Sequence, residues 1–458
     1  MGGWNRLTLH RSYKGGRSID TEVLVNGGGV GGLALAVKLA SRGVNVAVVE
    51  QLSAESPQYK GELLQPKTLA ILEDLGVIDE VVANGHSFST LEFIELERRS
   101  SKQPKKVGES CMDYGLLASP YNYALMIPHE TLKSILLNKA KLYPERFRYI
   151  QPARFTGFKD GKAIIRHTKD KTIEPILARF YIGAEGRNSP TRNAMGLKAN
   201  NRTYNHHFLT VTIPRPANFK TGKIVTTNHR FLGLFPLPDN KIRTVFLIKA
   251  GAYKSMKQEG IEYFHKAYAE LCPELGEHVT SLHDWKDIQL MIPTMFHVDR
   301  YVVENLALIG DAAHAVHPMA GEGMNLAIQD ADVLGELIAW MKKKGTYDNQ
   351  LLKWYEQVRM PRAKFLLGLS HLSALAYSFP YPWWRRIRMK SIEQMERDPS
   401  LHVKQMLNIS GLGRWDNTLV DRLIQVGAFP KRKRSISESK QLKYFFERTE
   451  DYPWEKEE

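Results

Sequence analysis

The chain has 458 residues, 43% hydrophobic and 25% charged, which excludes a disordered or fibrous protein and leaves enough apolar side chains for more than one core. Two cysteines in that length, Cys111 and Cys272, exclude a disulfide framework and point to a reducing compartment, with both thiols expected as buried apolar groups. The net charge of +15 is carried mainly by residues 1–20, 383–390 and 431–434, so the body is nearly balanced; a nucleic-acid-binding core is excluded, and solvated tails or contact with an anionic membrane remain.

Residues 1–20 show no periodicity and read as a basic N-terminal extension. Glu22 to Val25 is a short β-branched strand, Leu33 to Arg42 a helix closed by Gly43, and Val44 to Glu50 a second apolar strand. Strand, glycine turn, helix and strand within thirty residues make a βαβ unit, which requires a parallel sheet with a right-handed crossover. Lys67 to Leu75 is helical and stops at Gly76, Ser87 to Arg99 and Lys105 to Tyr121 alternate as strands and loops do, and His129 to Lys141 is helical again. Tyr204 to Lys249 turns β-rich, Asn305 to Gly310 is a buried strand, and Gly323 to Met341 is a helix with Ala327, Ala331, Leu334, Ile338 and Met341 along one face. No stretch reaches the roughly 18 to 20 apolar residues of a spanning helix, and no signal-peptide pattern opens the chain, so a cytoplasmic protein is expected.

The expected organisation is a first nucleotide-domain segment at 21–85, substrate-domain strands at 86–120, a second segment at 121–200, a β-rich substrate domain at 201–295, a third segment at 296–364, and a helical, basic C-terminal region at 365–458. A chain that leaves a nucleotide domain and returns to it has inserted a substrate-binding lobe.

Gly27, Gly29 and Gly32 satisfy G-x-G-x-x-G, with Gly31 between them, at the end of one strand and the start of a helix; Glu50 closes the next strand, where a carboxylate takes ribose hydroxyls. Gly27 makes the tight turn, Gly29 admits a pyrophosphate, and Gly32 lets helix and strand touch, while the helix N-terminus supplies amide donors. Glu50 disfavours a 2′-phosphate, so the occupant is FAD or NAD rather than NADP.

The segment from Leu306 to Asn325, with Gly310-Asp311, His317-Pro318 and Gly323-Met324-Asn325, resembles the second FAD signature of the para-hydroxybenzoate hydroxylase family of aromatic-ring hydroxylases. The resemblance implies FAD: Asp311 would hold the ribityl chain, and the backbone at Gly323, Met324 and Asn325 would face the flavin N1 and C2 carbonyl, where a helix dipole stabilises the negative charge of reduced flavin. Ile182 to Arg192 resembles the family's middle motif, with Gly186, Ser189 and Arg192 in place and Glu185 where the family has Asp. Gly61 to Pro66 sits where family members contact the flavin or its phosphates, with Gln65 the nearest match; the same string is similar to one in squalene epoxidases and also fits an ordinary loop before a helix. By the same resemblance His317 and Pro318 lie on the substrate side, where a histidine either relays a phenol proton or simply packs; His206, His207 and His229 are further pocket candidates.

The resemblance implies an α/β fold: a Rossmann-like FAD-binding domain of the glutathione-reductase type, an inserted, mainly antiparallel β-sheet substrate domain, and a helical C-terminal tail. It implies a flavoprotein monooxygenase in which NADH or NADPH reduces FAD, O2 adds at the flavin C4a, and the hydroperoxide hydroxylates or epoxidises a hydrophobic aromatic, quinone-like or polyprenyl substrate. The alternatives are an FAD-dependent reductase or dehydrogenase without oxygen insertion, or a non-catalytic flavin-binding protein. No metal-ligand spacing competes, and the sequence sets no oligomeric state. Phe365 to Phe379 followed by Tyr381, Trp383, Trp384 and arginines has the composition of a membrane-interface anchor, or of a helix packed on the body.

Overall fold

The computed structural model describes residues 19–53, 62–97, 104–227, 230–379 and 381–457. Most of the N-terminal basic extension and His229 lie outside them. Strand β1 (Thr21–Asn26) is buried along its whole length, as a central strand covered on both faces must be. It enters helix α1 (Val30–Ser41), which returns to β2 (Val46–Val49) in parallel with β1. The first helix therefore starts three residues before the expected Leu33, because Val30 and the glycines after it already take helical backbone. With β3 (Phe147–Ile150), β4 (Ala178–Gly183), β5 (Val302–Val303) and β6 (Leu306–Leu308) the sheet runs β5-β6-β4-β1-β2-β3, parallel except at β5. The three chain segments that build it are widely separated in sequence.

Helix α2 (Gly323–Lys343) lies against α1, and the two approach so closely that a Cβ on Gly335 would stand 2.7 Å from Lys38 Cγ. Lys38 is itself buried there, with its ammonium 2.8 Å from Asp332, 2.9 Å from Glu336 and 2.7 Å from Asp74. A buried ammonium with three carboxylates in reach pins α1, α2 and the helix Pro66–Asp74 in one arrangement.

A second sheet of seven strands faces this domain. Its order is Gln289–Met291, His206–Pro214, Lys241–Lys249, Phe231–Leu237, Gly222–Thr226, Thr90–Glu97 and Lys105–Asp113. Every pairing is antiparallel except that of Gly222–Thr226 with Thr90–Glu97. Period-two alternation divides its faces: Leu209, Val211, Leu232, Leu234 and Phe246 pack beneath the helix Ile261–Leu271, while Thr210, Phe235, Arg243 and Val245 line a cavity on the other side.

Helices α3 (Lys353–Ser378), α4 (Pro382–Arg397), α5 (Pro399–Ser410) and α6 (Leu419–Gln425) cover the remaining side of that cavity. The apolar stretch from Phe365 is thus the second half of a 26-residue helix rather than an element of its own. Asp398 caps α5 through Ser400 and Leu401 N–H, and Thr418 and Asp421 form a capping box on α6, so these short helices are defined by local sequence. Val403, Met406, Leu407 and Trp415 join Phe88, Tyr114 and Leu117 in a separate apolar cluster. Cys272 is buried as expected, but Cys111 is only half-buried, because its strand lies at the edge of the second sheet. No helix among the described residues is long and apolar enough to cross a membrane.

Candidate active site

The glycine turn is built by steric exclusion. Gly27 has φ +113°, and a Cβ on it would lie 2.3 Å from the Ala184 carbonyl; one on Gly32 would lie 2.0 Å from the Gly27 carbonyl, and one on Gly31 3.0 Å from Ala327 Cβ. Gly29 is different, since nothing stands within 4 Å of the position a Cβ would take. Space kept open at the N-terminus of a buried helix is a cradle for a pyrophosphate. Beside it, Glu50 accepts hydrogen bonds from Gly28 N–H at 2.9 Å and Leu52 N–H at 2.7 Å, which fix its carboxylate at the end of β2 on the cavity wall.

The second glycine turn follows β6. Gly310 takes φ +56°, with Ala327 of α2 where its side chain would be, and its N–H donates to Asp330 at 2.9 Å. Asp330 is fully buried and also bonds His314 at 2.8 Å and the Arg359 guanidinium at 2.8 Å. Burial would raise its pKa, but His314 and Arg359 outweigh that and hold it below the ordinary aspartate value. Neither Asp330 nor Arg359 was legible as a site residue, because each reads as one more polar position on a helix.

Asp311, on the cavity wall, stands 3.6 Å from Arg187. Arg192 donates to the Ala312 carbonyl at 3.0 Å and to the Arg187 carbonyl at 2.5 Å, tying this turn to the middle motif. Glu185 is turned towards Ser189, at 2.6 Å, and Thr191, whose hydroxyl and N–H both donate to it. Its extra methylene therefore serves a local helix start. Gly186 remains on the cavity wall.

The loop before α2 forms the inner end of the cavity. Pro318, Gly323, Met324 and Gln65 line it, and Gln65 accepts a hydrogen bond from Tyr114 O–H at 2.9 Å. The Asn325 side chain does not line it. It is fully buried, accepts from Gln65 N–H at 2.8 Å and donates to the Leu63 and Gly321 carbonyls at 3.0 and 2.9 Å, binding the two loops to each other. His317 is also absent from the wall: fully buried, it places Nε2 3.0 Å from His206 Nε2 and accepts from Met319 N–H through Nδ1. Burial, then the neighbouring His206 and His371, push its pKa down to about 3, so the ring is neutral. His207 does not line the cavity.

Two residues of this end were missed by sequence reasoning. Glu322 is a buried carboxyl on the wall whose two oxygens close no hydrogen bond, with the Gln65 amide as polar neighbour; burial raises its pKa well above the usual carboxylate range. Arg243 makes a two-pronged ion pair with Glu62, both contacts 2.7 Å, at the boundary between the sheets. The cavity lined by Gly29, Glu50, Gln65, Arg243, Asp311 and Glu322 has a volume of about 1680 Å3. A single small-molecule pocket holds roughly 300–1,000 Å3, so the space suits a dinucleotide and a substrate together.

Residues 20–370 match the FAD binding domain family. The chain belongs to that family. The open side of Gly29, the fixed Glu50 and the turn at Gly310-Asp311 on one cavity wall fit an FAD. The FAD-binding chain is 27% identical over 319 residues to 6-methylpretetramide 4-monooxygenase of Streptomyces rimosus, covering 68% of this chain and 73% of that protein. It is 26% identical over 359 residues to 3-demethoxyubiquinol 3-hydroxylase of Escherichia coli, covering 74% and 85%. Among solved structures, p-nitrophenol 4-monooxygenase PnpA of Pseudomonas putida superposes with a TM-score of 0.72 at 17% identity, covering 86% of this chain and 98% of that one; P. aeruginosa PqsL in complex with 2-aminobenzoylacetate gives 0.69 at 22%, covering 79% and 97%. These structures share the fold. The protein is an FAD-dependent monooxygenase, with NAD(P)H as the family's reductant.

Proposed function

We propose that this enzyme hydroxylates or epoxidises a hydrophobic aromatic, quinone-like or polyprenyl molecule with NADH or NADPH and O2, in the cytoplasm and in peripheral contact with an anionic membrane. The observation that carries the substrate class is the apolar continuation of the cavity past the flavin loop, lined by Leu91, Phe93, Met112, Ile224, Phe235 and Met291. Few polar groups interrupt it, so an apolar substrate is held by burial and oriented by those few.

FAD, when bound, accepts a hydride from NAD(P)H and with O2 supplies the oxygen atom that is inserted. Glu50 would hold the adenosine ribose, the α1 N-terminus the pyrophosphate, and Asp311 the ribityl hydroxyls. The backbone amides of Gly323 and Met324, on the cavity wall at the start of α2, would offer positive potential to the anionic edge of reduced flavin. Gly186 lies on the cavity wall beside the Asp311 turn. Pro318 and Met319, on the cavity wall and held by His317 through the Met319 N–H, would stand between substrate and flavin. His317 acts in this reading by positioning rather than proton transfer. Arg243, neutralised by Glu62, keeps a fixed charge pair at the domain boundary without leaving an unpaired charge in an apolar space.

The deciding measurement is product analysis under 18O2 with NAD(P)H and a panel of prenylated and simple phenols or quinols. One 18O atom in product, with a two-banded flavin spectrum in the purified protein, is the expected result. Turnover without 18O in product would establish a reductase instead, and a protein that stays colourless after incubation with FAD would remove the flavin site.

A further inference from the structure

The cavity does not end at the substrate pocket. It runs on between α3, α4, α5 and α6, where Leu375, Ala376, Ile392, Met395 and Ile409 line it, and reaches the surface among these helices. At that opening Leu372, Phe379, Ile387 and Val426 both line the cavity and stand 54%, 39%, 41% and 50% exposed. Isolated exposed apolar side chains are ordinary, but four around the mouth of one apolar passage form a patch. Tyr381 and Trp383, 55% and 60% exposed with near-parallel rings 6.0 Å apart, extend it. The corner is held in place, since the Trp384 indole N–H donates to the Ala376 carbonyl at 2.9 Å and its ring meets Phe379 at 5.6 Å.

A basic collar surrounds this patch. Arg386 and Lys390 on α4, and Lys431, Lys433 and Arg434 after α6, are exposed and carry no ion pair among the described residues. The segment after α6 lies on the same side as α4, because a Cβ on Gly427 would meet Lys390 at 2.1 Å. Most carboxylates nearby are paired: Glu393 with Arg397, Asp416 with Arg414, and Asp398 and Asp421 with Arg432; Glu396 on α4 and Glu438 carry no ion pair among the described residues, against the five cations named above. The surplus charge at the mouth is therefore positive, and aromatic rings beside unpaired cations at an apolar opening match the chemistry of a bilayer interface.

We infer that this mouth docks on an anionic lipid bilayer and that substrate with a long apolar tail passes from the membrane into the cavity without crossing water. The inference rests on the reading of the enzyme as acting on hydrophobic molecules and specifies where they come from. Contact is peripheral, since no described helix is long and apolar enough to span.

The test is flotation of the full-length, FAD-loaded protein with phosphatidylcholine vesicles, with and without phosphatidylglycerol, at low and high salt. Binding that requires phosphatidylglycerol and weakens with salt is expected, at about fivefold in affinity for each basic side chain near the surface. The double variants Tyr381→Ser/Trp383→Ser and Lys433→Glu/Arg434→Glu, which touch no cavity wall, should each lose roughly tenfold or more in vesicle affinity. Absence of binding to either vesicle, or binding indifferent to both double variants, would overturn the proposal. So would a concentration-dependent dimer abolished by the same variants, which would make this face a contact between two copies. The flavin spectrum and NAD(P)H oxidation with a water-soluble phenol, read on the same samples, report the monooxygenase reading separately from the docking surface.

Discussion

Gly29 and Gly32 occupy the same motif for opposite reasons, and substitution separates them. Gly32→Ala forces a Cβ onto a backbone carbonyl 2.0 Å away, so it should fold poorly. Gly29 has φ −76°, which alanine adopts freely, and open space beyond it. Gly29→Ala is expected to keep the melting temperature of the FAD-free protein while raising the FAD Kd roughly tenfold or more, measured by fluorescence titration. Glu322 supports a second residue-scale prediction. Its folded pKa is raised by burial, so the stability it contributes is complete below the ordinary glutamate pKa and is lost as pH rises towards the folded value. Glu322→Gln should therefore stabilise the FAD-free protein by about 1–3 kcal/mol at pH 8 and by little at pH 4, in denaturant titrations. His317→Asn should leave the pH profile of turnover unchanged between about pH 6 and pH 9, because a neutral ring with a pKa of about 3 does not titrate there; a lost acidic limb would make it a proton relay after all.

At the scale of elements, the turn that carries Asp311 is braced from behind by α2 and α3. Asp330 receives Gly310 N–H, His314 and Arg359 in a space with no water access. Arg359→Gln leaves the buried aspartate short of its guanidinium partner and should cost about 3–5 kcal/mol of stability, and FAD affinity should fall with it because the turn loses its brace. The βαβ unit was legible from its glycines, its β-branched strands and the spacing to Glu50, since all of that information is local. The brace was not, because Asp330 and Arg359 meet only when two consecutive helices pack, and nothing in a polar residue's immediate sequence states which partner it finds. Asn325 teaches the same lesson in reverse: its backbone position follows from the helix start, while its side chain is committed to the Gln65 loop, 260 residues earlier in the chain.

For the whole molecule, the C-terminal helices are part of the core. Val403, Met406, Leu407 and Trp415 complete an apolar cluster with Phe88, Tyr114 and Leu117, and Arg388 and Arg385 pair with Glu95 and Glu97 of the second sheet. Truncation after Ser378 should therefore give insoluble protein or a lowered melting temperature, checked by soluble yield and thermal unfolding, rather than a trimmed active enzyme.

The sequence by itself determined the dinucleotide turn, the second FAD signature, the switch from a parallel to a mainly antiparallel sheet, and the uneven placement of charge, because each is written in short-range periodicity, in glycines that admit no side chain, or in composition. Only the tertiary structure decided that His317 and Asn325 brace loops instead of facing the cavity, that Glu185 serves a helix start, that Glu322 and Arg243 stand on the cavity wall, and that one apolar passage opens among aromatic and basic side chains of the last hundred residues. Facing and burial depend on which distant elements pack together, and that is settled by the free energy of the assembled core, to which no single stretch of chain holds the answer.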